Sequence, residues 1–448
     1  MSLRTPIHTK AQYANLRWPF LAVLICTGFL LKLCIMTLTP LSLDFTFSVT
    51  QSYQRVVPQG DTPYGLFTHS ITSAWTALLP ANTSLTSVWS VDFFHASPAL
   101  YLLVLLLKSP LLGLDLMTGL ALYYAVKSQR PERAGLGLLA WTFNPYVLLV
   151  NEMWAPVDML PTFLMFLAFV LILLGRRTVL SALSLGLAIA IKLFPLMTLP
   201  IFLAVNNTPH RRKMLVAYLL CAFMGAAAYF AWVASAGYSP WIQLKQYDVF
   251  TQYFDEFTLS TLDDSKIGIA TIALISTSVL ILEKWPKDCR RASDAATLLL
   301  LTFFAFGNWF PQFLLWLIPF LTLDFAAKRR PIIYLLTLVS SAFFIDVVAF
   351  YSYFTSNGSA FFFVPADTST LKAWVTGYEQ FARNDIIILL GGPLARASFS
   401  AICVLYAVKI IEENTMLIST LIRDLAHHGS ISRVRSPETM SLSNYNKS

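Results

Sequence analysis

The chain has 448 residues, 56% of them hydrophobic and 12% charged, with a formal net charge of +8 and a mean hydropathy of +0.62. A soluble domain carries about 25% charged residues, so most of this chain cannot face water. The same figures exclude disorder, collagen and coiled coil, and long apolar runs between short basic loops point to one polytopic membrane domain. Cys26, Cys34, Cys221 and Cys403 lie in apolar runs and Cys289 in a basic loop; no pair has metal-ligand spacing and no disulfide framework is visible.

The first apolar run, Trp18 to Thr39, follows a basic tail. It is too long for a signal-peptide core and lacks a small-residue cleavage site, so it reads as a retained helix. Further apolar segments follow at Pro98–Val126, Ala134–Leu149, Val157–Leu174, Val179–Ile191, Pro195–Ala204, Met214–Ala234, Ile267–Leu282, Ala295–Phe306, Pro311–Phe325, Ile332–Phe354 and Ile386–Ile411. A full crossing needs about 20 residues, and several of these are shorter. The short ones come in pairs: Ala134–Leu149 with Val157–Leu174, Val179–Ile191 with Pro195–Ala204, Ala295–Phe306 with Pro311–Phe325. Short paired helices with proline at the turn leave a polar cavity at one face, where broken backbone is tolerated. The expected architecture is all-α, a polytopic membrane domain over residues 1–411 with about 12 transmembrane or re-entrant helices and long outer loops. Residues 412–448 form a cytoplasmic tail, with an amphipathic stretch at Met416–Leu425 and polar residues after it.

Positive charge sets the orientation. With the N-terminus inside, 23 of the 32 Lys and Arg fall in inner loops and tails. Only Arg55, Lys245, Lys266, Lys372 and Arg383 are outside, while Lys32, Lys108, Lys192 and Arg396 sit within or at the edge of apolar segments. The basic balance is therefore a positive-inside signature and not a nucleic-acid footprint. Thirteen of the 24 acids are outer, and the three long outer loops, Pro40–Ser97, Ser235–Lys266 and Thr355–Asp385, mix acids with aromatics. Long loops tend to carry function, so the outer face is the working face.

Three outer motifs stand out. They are Phe143-Asn144-Pro145 with Asn151-Glu152 and Asp158, then Lys192-Leu193-Phe194-Pro195, then Asn308-Trp309-Phe310-Pro311-Gln312-Phe313-Leu314-Leu315-Trp316. Their order, with an early acid after the first helix, resembles the membrane-embedded glycosyltransferases that use polyprenyl-phosphate sugars. The likeness is to the branch of the mannosyltransferase that adds the first mannose to glycosylphosphatidylinositol, and its prokaryotic relatives. It covers roughly Leu43 to Leu323. Where that branch has an Asp-x-Asp-like pair, this chain reads Leu43-Asp44-Phe45-Thr46, with a single acid.

The resemblance implies an inverting transfer of a hexose, mannose by preference, to a lipid- or glycan-type acceptor at the extracytoplasmic face. Such a reaction needs a base for the acceptor hydroxyl, donors or cations for the departing phosphate, and a pocket that excludes water. It needs no metal and no cofactor beyond the lipid-borne donor. Asp44 is the expected base, with helix N-capping before Phe45 as its structural alternative. Lys192 and Arg396 are the cations for phosphate; the alternative for Lys192 is snorkelling to the interface. Asn308 and Gln312, one turn apart on a helix starting near Asn308, are expected to reach sugar hydroxyls, or else to cap and bond between helices. Asn151 and Asp158 line another outer turn, Asp158 with a first-turn dipole role as its alternative. His95 is a further candidate, paired with Asp92 before Pro98. Asp115 is expected to make helix–helix bonds.

The expected partners are the polyprenyl-phosphate sugar, its acceptor and membrane lipids, and no nucleic acid. Both termini are expected in the cytoplasm. The membrane is expected to be the cell membrane, or that of the endoplasmic reticulum in a eukaryotic host. Two rivals are a transporter or flippase, which paired short helices also build, and a non-catalytic lipid-binding subunit of the same fold.

Overall fold

The computed structural model describes residues 9–38, 98–154, 158–175, 178–207, 212–235, 264–285, 291–306, 311–328 and 397–414, with the single residues 330 and 336. Among the described residues every element is helical. The long helices are α1 (Thr9–Leu38), α2 (Pro98–Gln129), α7 (Arg212–Ser235) and α8 (Asp264–Lys284). The shorter ones are α3 (Ala134–Thr142), α4 (Met159–Leu173), α5 (Thr178–Ile191), α6 (Leu199–Asn206), α9 (Ala292–Phe306), α10 (Ile318–Lys328) and α11 (397–414).

Three stretches within these helices, Pro19–Thr37, Val104–Gln129 and Arg212–Trp232, are long and apolar enough to cross a membrane. The all-α expectation holds among the described residues, with three helices long enough to cross and several shorter apolar ones; these do not establish the expected number of about 12. The segment read as Ile332–Phe354 lies outside the described residues, apart from Leu336, and so do nearly all of the three long outer loops.

Local chemistry explains the breaks. The segment expected as one helix over Ala134–Leu149 is divided. Helix α3 stops at Thr142, and the chain restarts at a single turn, Pro145–Val147. Asn144 caps that turn: its side-chain oxygen accepts from the backbone N–H groups of Tyr146 (2.9 Å) and Val147 (3.3 Å), and Pro145 occupies the first position, where no N–H is needed. The turn continues into a π-helix, Leu148–Trp154. Farther on, α4 ends at a glycine in the left-handed conformation, Gly175 (φ +68°), whose N–H reaches the carbonyl of Ile172 at 2.9 Å. In α2, Pro110 removes the donor that would meet the carbonyl of Leu106, and the Ser109 hydroxyl supplies one at 2.8 Å.

Two hairpins organise the domain. Helices α4 and α5 lie side by side, and α7 packs along α5. Hydroxyls tie these three together: Ser181 donates to the carbonyl of Ala168 (2.6 Å), Ser184 to that of Leu164 (2.7 Å), and Tyr218 to the Ser181 oxygen (2.7 Å). The second hairpin is α9–α10, joined at its far end through residues that include a 3-10 stretch, Pro311–Trp316. Its core contact is aromatic: Phe320 of α10 sits edge-on to Phe166 (5.3 Å) and Phe169 (5.0 Å) of α4, and Phe169 meets Phe202 of α6 at 4.5 Å.

The distribution of apolar residues among the described helices is compatible with a membrane protein. Phe223 of α7 is 73% exposed and Leu405 of α11 69%, while Lys32 and Lys108 have no exposure at all. In water the reverse would hold.

Helices α5 and α7 approach closely enough that their glycines have no substitute. A Cβ on Gly186 would sit 2.7 Å from the carbonyl oxygen of Cys221, and one on Gly225 would run into the carbonyl oxygen of Gly186. Backbone atoms cannot swing aside as a side chain can, and small residues at a crossing are how membrane helices reach such contact. Gly225→Leu is therefore expected to cost about 1–3 kcal/mol or more, read as a lower melting temperature in detergent. Gly113→Ala, where an added Cβ meets nothing within 4 Å, is expected to be neutral or stabilising by up to about 1 kcal/mol.

Candidate functional site

Among the described residues, Lys32, Lys108, Asp115, Glu152, Asp158 and Lys192 are buried together with almost no exposure. They form two groups, and the π-helix and the residues after it contribute to both.

The first group joins α1, α2, α3 and the π-helix. The Lys32 ammonium donates to Asp115 Oδ2 at 2.7 Å and to Glu152 Oε1 at 3.0 Å. The other Asp115 oxygen accepts the indole N–H of Trp141 at 2.9 Å. Glu152 Oε1 also accepts from the Asn151 side-chain amide at 3.2 Å, and the Glu152 backbone carbonyl accepts from Lys108 at 3.2 Å. Two lysines thus grip one residue, Lys32 by its carboxylate and Lys108 by its main chain. Two acceptor atoms in this group are buried without a hydrogen-bond partner among the described residues, Asn151 Oδ1 and Glu152 Oε2.

The second group lies where α4 begins and α5 ends. Lys192 donates to Asp158 Oδ1 at 2.6 Å, and the indole N–H of Trp316 reaches the same oxygen at 3.3 Å. The Lys192 ammonium stands 4.7 Å from the ring centre of Phe313 and 5.6 Å from that of Trp316, within cation–π range. Phe194 stacks flat on Trp316, 3.6 Å between centroids with 2° between planes. Asp158 occupies the N-cap position of α4 but its side chain makes no capping bond. Its carboxylate serves Lys192 and Trp316 instead, and Asp158 Oδ2 is buried without a partner among the described residues.

The two groups adjoin. The π-helix and α4 both contact the 3-10 stretch Pro311–Trp316, and that stretch carries Phe313 and Trp316. Segments far apart in the chain therefore converge here: Asn144-Pro145, Asn151-Glu152, Asp158, Lys192 to Pro195, and Pro311 to Trp316. Lys192 does not snorkel to a surface; it is 3% exposed. Its charge is committed to Asp158, so any phosphate reaching it has to share or displace that carboxylate. Asp115 makes the interhelical bonds expected of it. Asp44, His95, Asn308 and Arg396 lie outside the described residues, as does the side chain of Gln312; the helical segment after Asn308 begins as 3-10 turns at Pro311. Among the described residues no group of three or more His, Cys, Asp or Glu is placed to hold a metal ion.

Lys32 and Lys108 are the residues that the motifs did not single out as site residues, whereas Glu152 stands in the first motif. Their signal was nevertheless in the sequence. A lysine inside an apolar run is costly enough to be a functional hypothesis by default, and each one demands a counter-charge on a neighbouring helix.

A second polar cluster lies at the opposite ends of α9 and α10. Asp294 pairs with Lys328 and, at 3.4 Å, with Arg291; Asp324 pairs with Arg330 at 3.1 Å and accepts from the Tyr406 hydroxyl; Arg330 also pairs with Glu413. This network binds α11 to the α9–α10 hairpin.

The chain matches no protein-family model and no characterised protein.

Lys192 and Asp158 neutralise each other in the interior, so removing one leaves the other as a buried lone charge. Lys192→Met is expected to destabilise by about 3–5 kcal/mol, whereas Lys192→Met combined with Asp158→Leu recovers most of that loss. Thermal unfolding of the purified single and double variants in detergent measures both.

Proposed function

We propose that the chain is a hexosyltransferase, mannose in first place, that takes its sugar from a polyprenyl-phosphate carrier and delivers it to a lipid- or glycan-type acceptor at the extracytoplasmic face. One observation supports this reading above the others. The segments whose order resembles the polyprenyl-phosphate-dependent glycosyltransferases meet at one buried polar locus, at the ends of helices too short to cross a membrane.

Helix direction supports the choice of face. Helix α4 runs from the locus to Leu173, a distance of about 22 Å at 1.5 Å per residue, and two arginines follow Gly175 in the sequence. Helix α9 starts at the Asp294 cluster, and α10 returns to that cluster at Lys328. The locus is thus at the end of both hairpins remote from the basic turns. Under the positive-inside rule that end is extracytoplasmic, with both termini in the cytoplasm.

In the proposed reaction Asp44 takes the proton of the acceptor hydroxyl, the acceptor oxygen bonds to the anomeric carbon, and the bond to the phosphate oxygen breaks with its electron pair. A single displacement inverts the configuration. The aromatic wall of Phe194, Phe313 and Trp316 keeps water from competing as acceptor. Lys192 and Arg396 stand as cations for the leaving phosphate, and Asn308 and Gln312 as partners for sugar hydroxyls. His95 is a further candidate contact in the first outer loop.

The purified protein, incubated with radiolabelled mannosyl-phosphoryl-polyprenol and a membrane lipid extract, is expected to move the label from the donor into a new product and to release polyprenyl phosphate. Asp44→Asn is expected to lower that rate by at least about 100-fold, within the range of general-base catalysis, with an unchanged melting temperature. Label that crosses liposomes without a new product would make the chain a transporter. Donor bound without turnover would make it a non-catalytic subunit.

A further inference from the structure

Two consecutive residues of the π-helix, Asn151 and Glu152, each hold an acceptor atom without a donor among the described residues. The Asn151 amide nitrogen donates to Glu152 Oε1, and a carboxylate oxygen accepts only N–H or O–H, so the amide is fixed with its oxygen turned away. That oxygen, Asn151 Oδ1, and the second oxygen of the adjacent carboxylate, Glu152 Oε2, both lack a donor among the described residues. Both side chains are fully buried. A buried acceptor left without a donor costs about 1–3 kcal/mol, and more when charged, so two on consecutive residues are not incidental.

We propose that Asn151 and Glu152 form a paired acceptor for two hydroxyl groups of a neutral polyhydroxylated ligand. Resting on the function proposed above, that ligand is the transferred hexose.

Charge selects the ligand class. An anion is repelled by two acceptor-only oxygens. A cation competes with Lys32, which already holds Glu152 Oε1 at 3.0 Å, and with Lys108 on the Glu152 carbonyl. Acyl chains carry no donors. Adjacent hydroxyls of a sugar ring are neutral donors and can serve two acceptors without adding charge. Lys32, Asp115 and Lys108 are then positioning residues. They fix the carboxylate and the main chain of Glu152 from α1 and α2 and do not themselves meet the sugar.

The test measures binding of mannosyl-phosphoryl-polyprenol and its series of monodeoxy forms to the full chain in detergent, by quenching of intrinsic tryptophan fluorescence. Transfer is assayed in parallel. For the unaltered protein, one or two monodeoxy forms are expected to bind about 10- to 100-fold more weakly than the parent, the range for a hydrogen bond to a charged group. In Glu152→Gln, which sets an N–H where Oε2 stood, the parent is expected to weaken, and the further loss from the same deoxygenation is expected to shrink to about threefold or less. Asn151→Leu keeps the Lys32–Glu152 pair intact and gives the same reading should Glu152→Gln fail to fold.

Equal losses in variant and unaltered protein would overturn the paired acceptor, leaving these oxygens to ordered water; so would failure to bind any of these probes. Transfer without such coupling would overturn this inference alone. Coupling without transfer would support the acceptor pair and overturn only the enzymatic reading.

Discussion

Lys32 is the fastening on which the rest of the site depends. Its single ammonium meets a carboxylate on α2 and another on the π-helix, partners 83 and 120 residues away in the chain. In a membrane the association of helices cannot rely on expulsion of water, because lipid is as apolar as leucine. A charge that has no alternative partner in hydrocarbon is then a strong constraint on which helices lie together. The cost of bringing it there is recovered only when every partner is in place, so the contact is specific as well as firm. Lys108 adds a second hold on the same residue through its main chain.

Around the π-helix three buried lysines, Lys32, Lys108 and Lys192, face three buried acids, Asp115, Glu152 and Asp158, while large apolar side chains such as Phe223 and Leu405 are exposed. This inside-out distribution explains how a domain with so few charges can afford to bury half a dozen of them. Neutrality in each group keeps the field inside low. The stacked rings of Phe194 and Trp316 and the nearby Phe313 cover Lys192 on the side that Asp158 does not. The opposite ends of α9 and α10 are ionic too, but there the basic partners Lys328 and Arg330 are partly exposed and the network anchors α11.

Much of the architecture was legible in the sequence because it is set by local chemistry. Val179–Ile191 and Val157–Leu174 read within two residues of the observed helices, since their ends are marked by Gly175, two arginines and Lys192. Asn144-Pro145 falls inside a segment that reads as continuous, and only the capping bonds show why the helix breaks there. The π-helix and the 3-10 stretch Pro311–Trp316 were not legible: both depart from α-helix by one residue per turn or less, a difference that composition does not encode. The partner of each charge was not legible either. Asp158 and Lys192 were both visible as polar residues at helix ends, but nothing local says that Lys192 turns toward Asp158 and the aromatic rings of a segment more than a hundred residues later. Reading Lys32 and Lys108 as members of the site required knowing which helices touch.

The π-helix has a consequence for how this domain tolerates change in length. Its wider winding carries the chain from Leu148 to Trp154 with an extra residue relative to a regular helix. Deleting one residue there would let the stretch relax to ordinary winding while the chain beyond keeps its course, because the wider turn is where the added residue is absorbed. Glu152, inside that turn, would shift against Lys32, whereas Asp158, beyond it, would still meet Lys192. In a regular helix a single deletion turns everything beyond it by about 100°; here the loss of one codon would loosen the first charged group and spare the second.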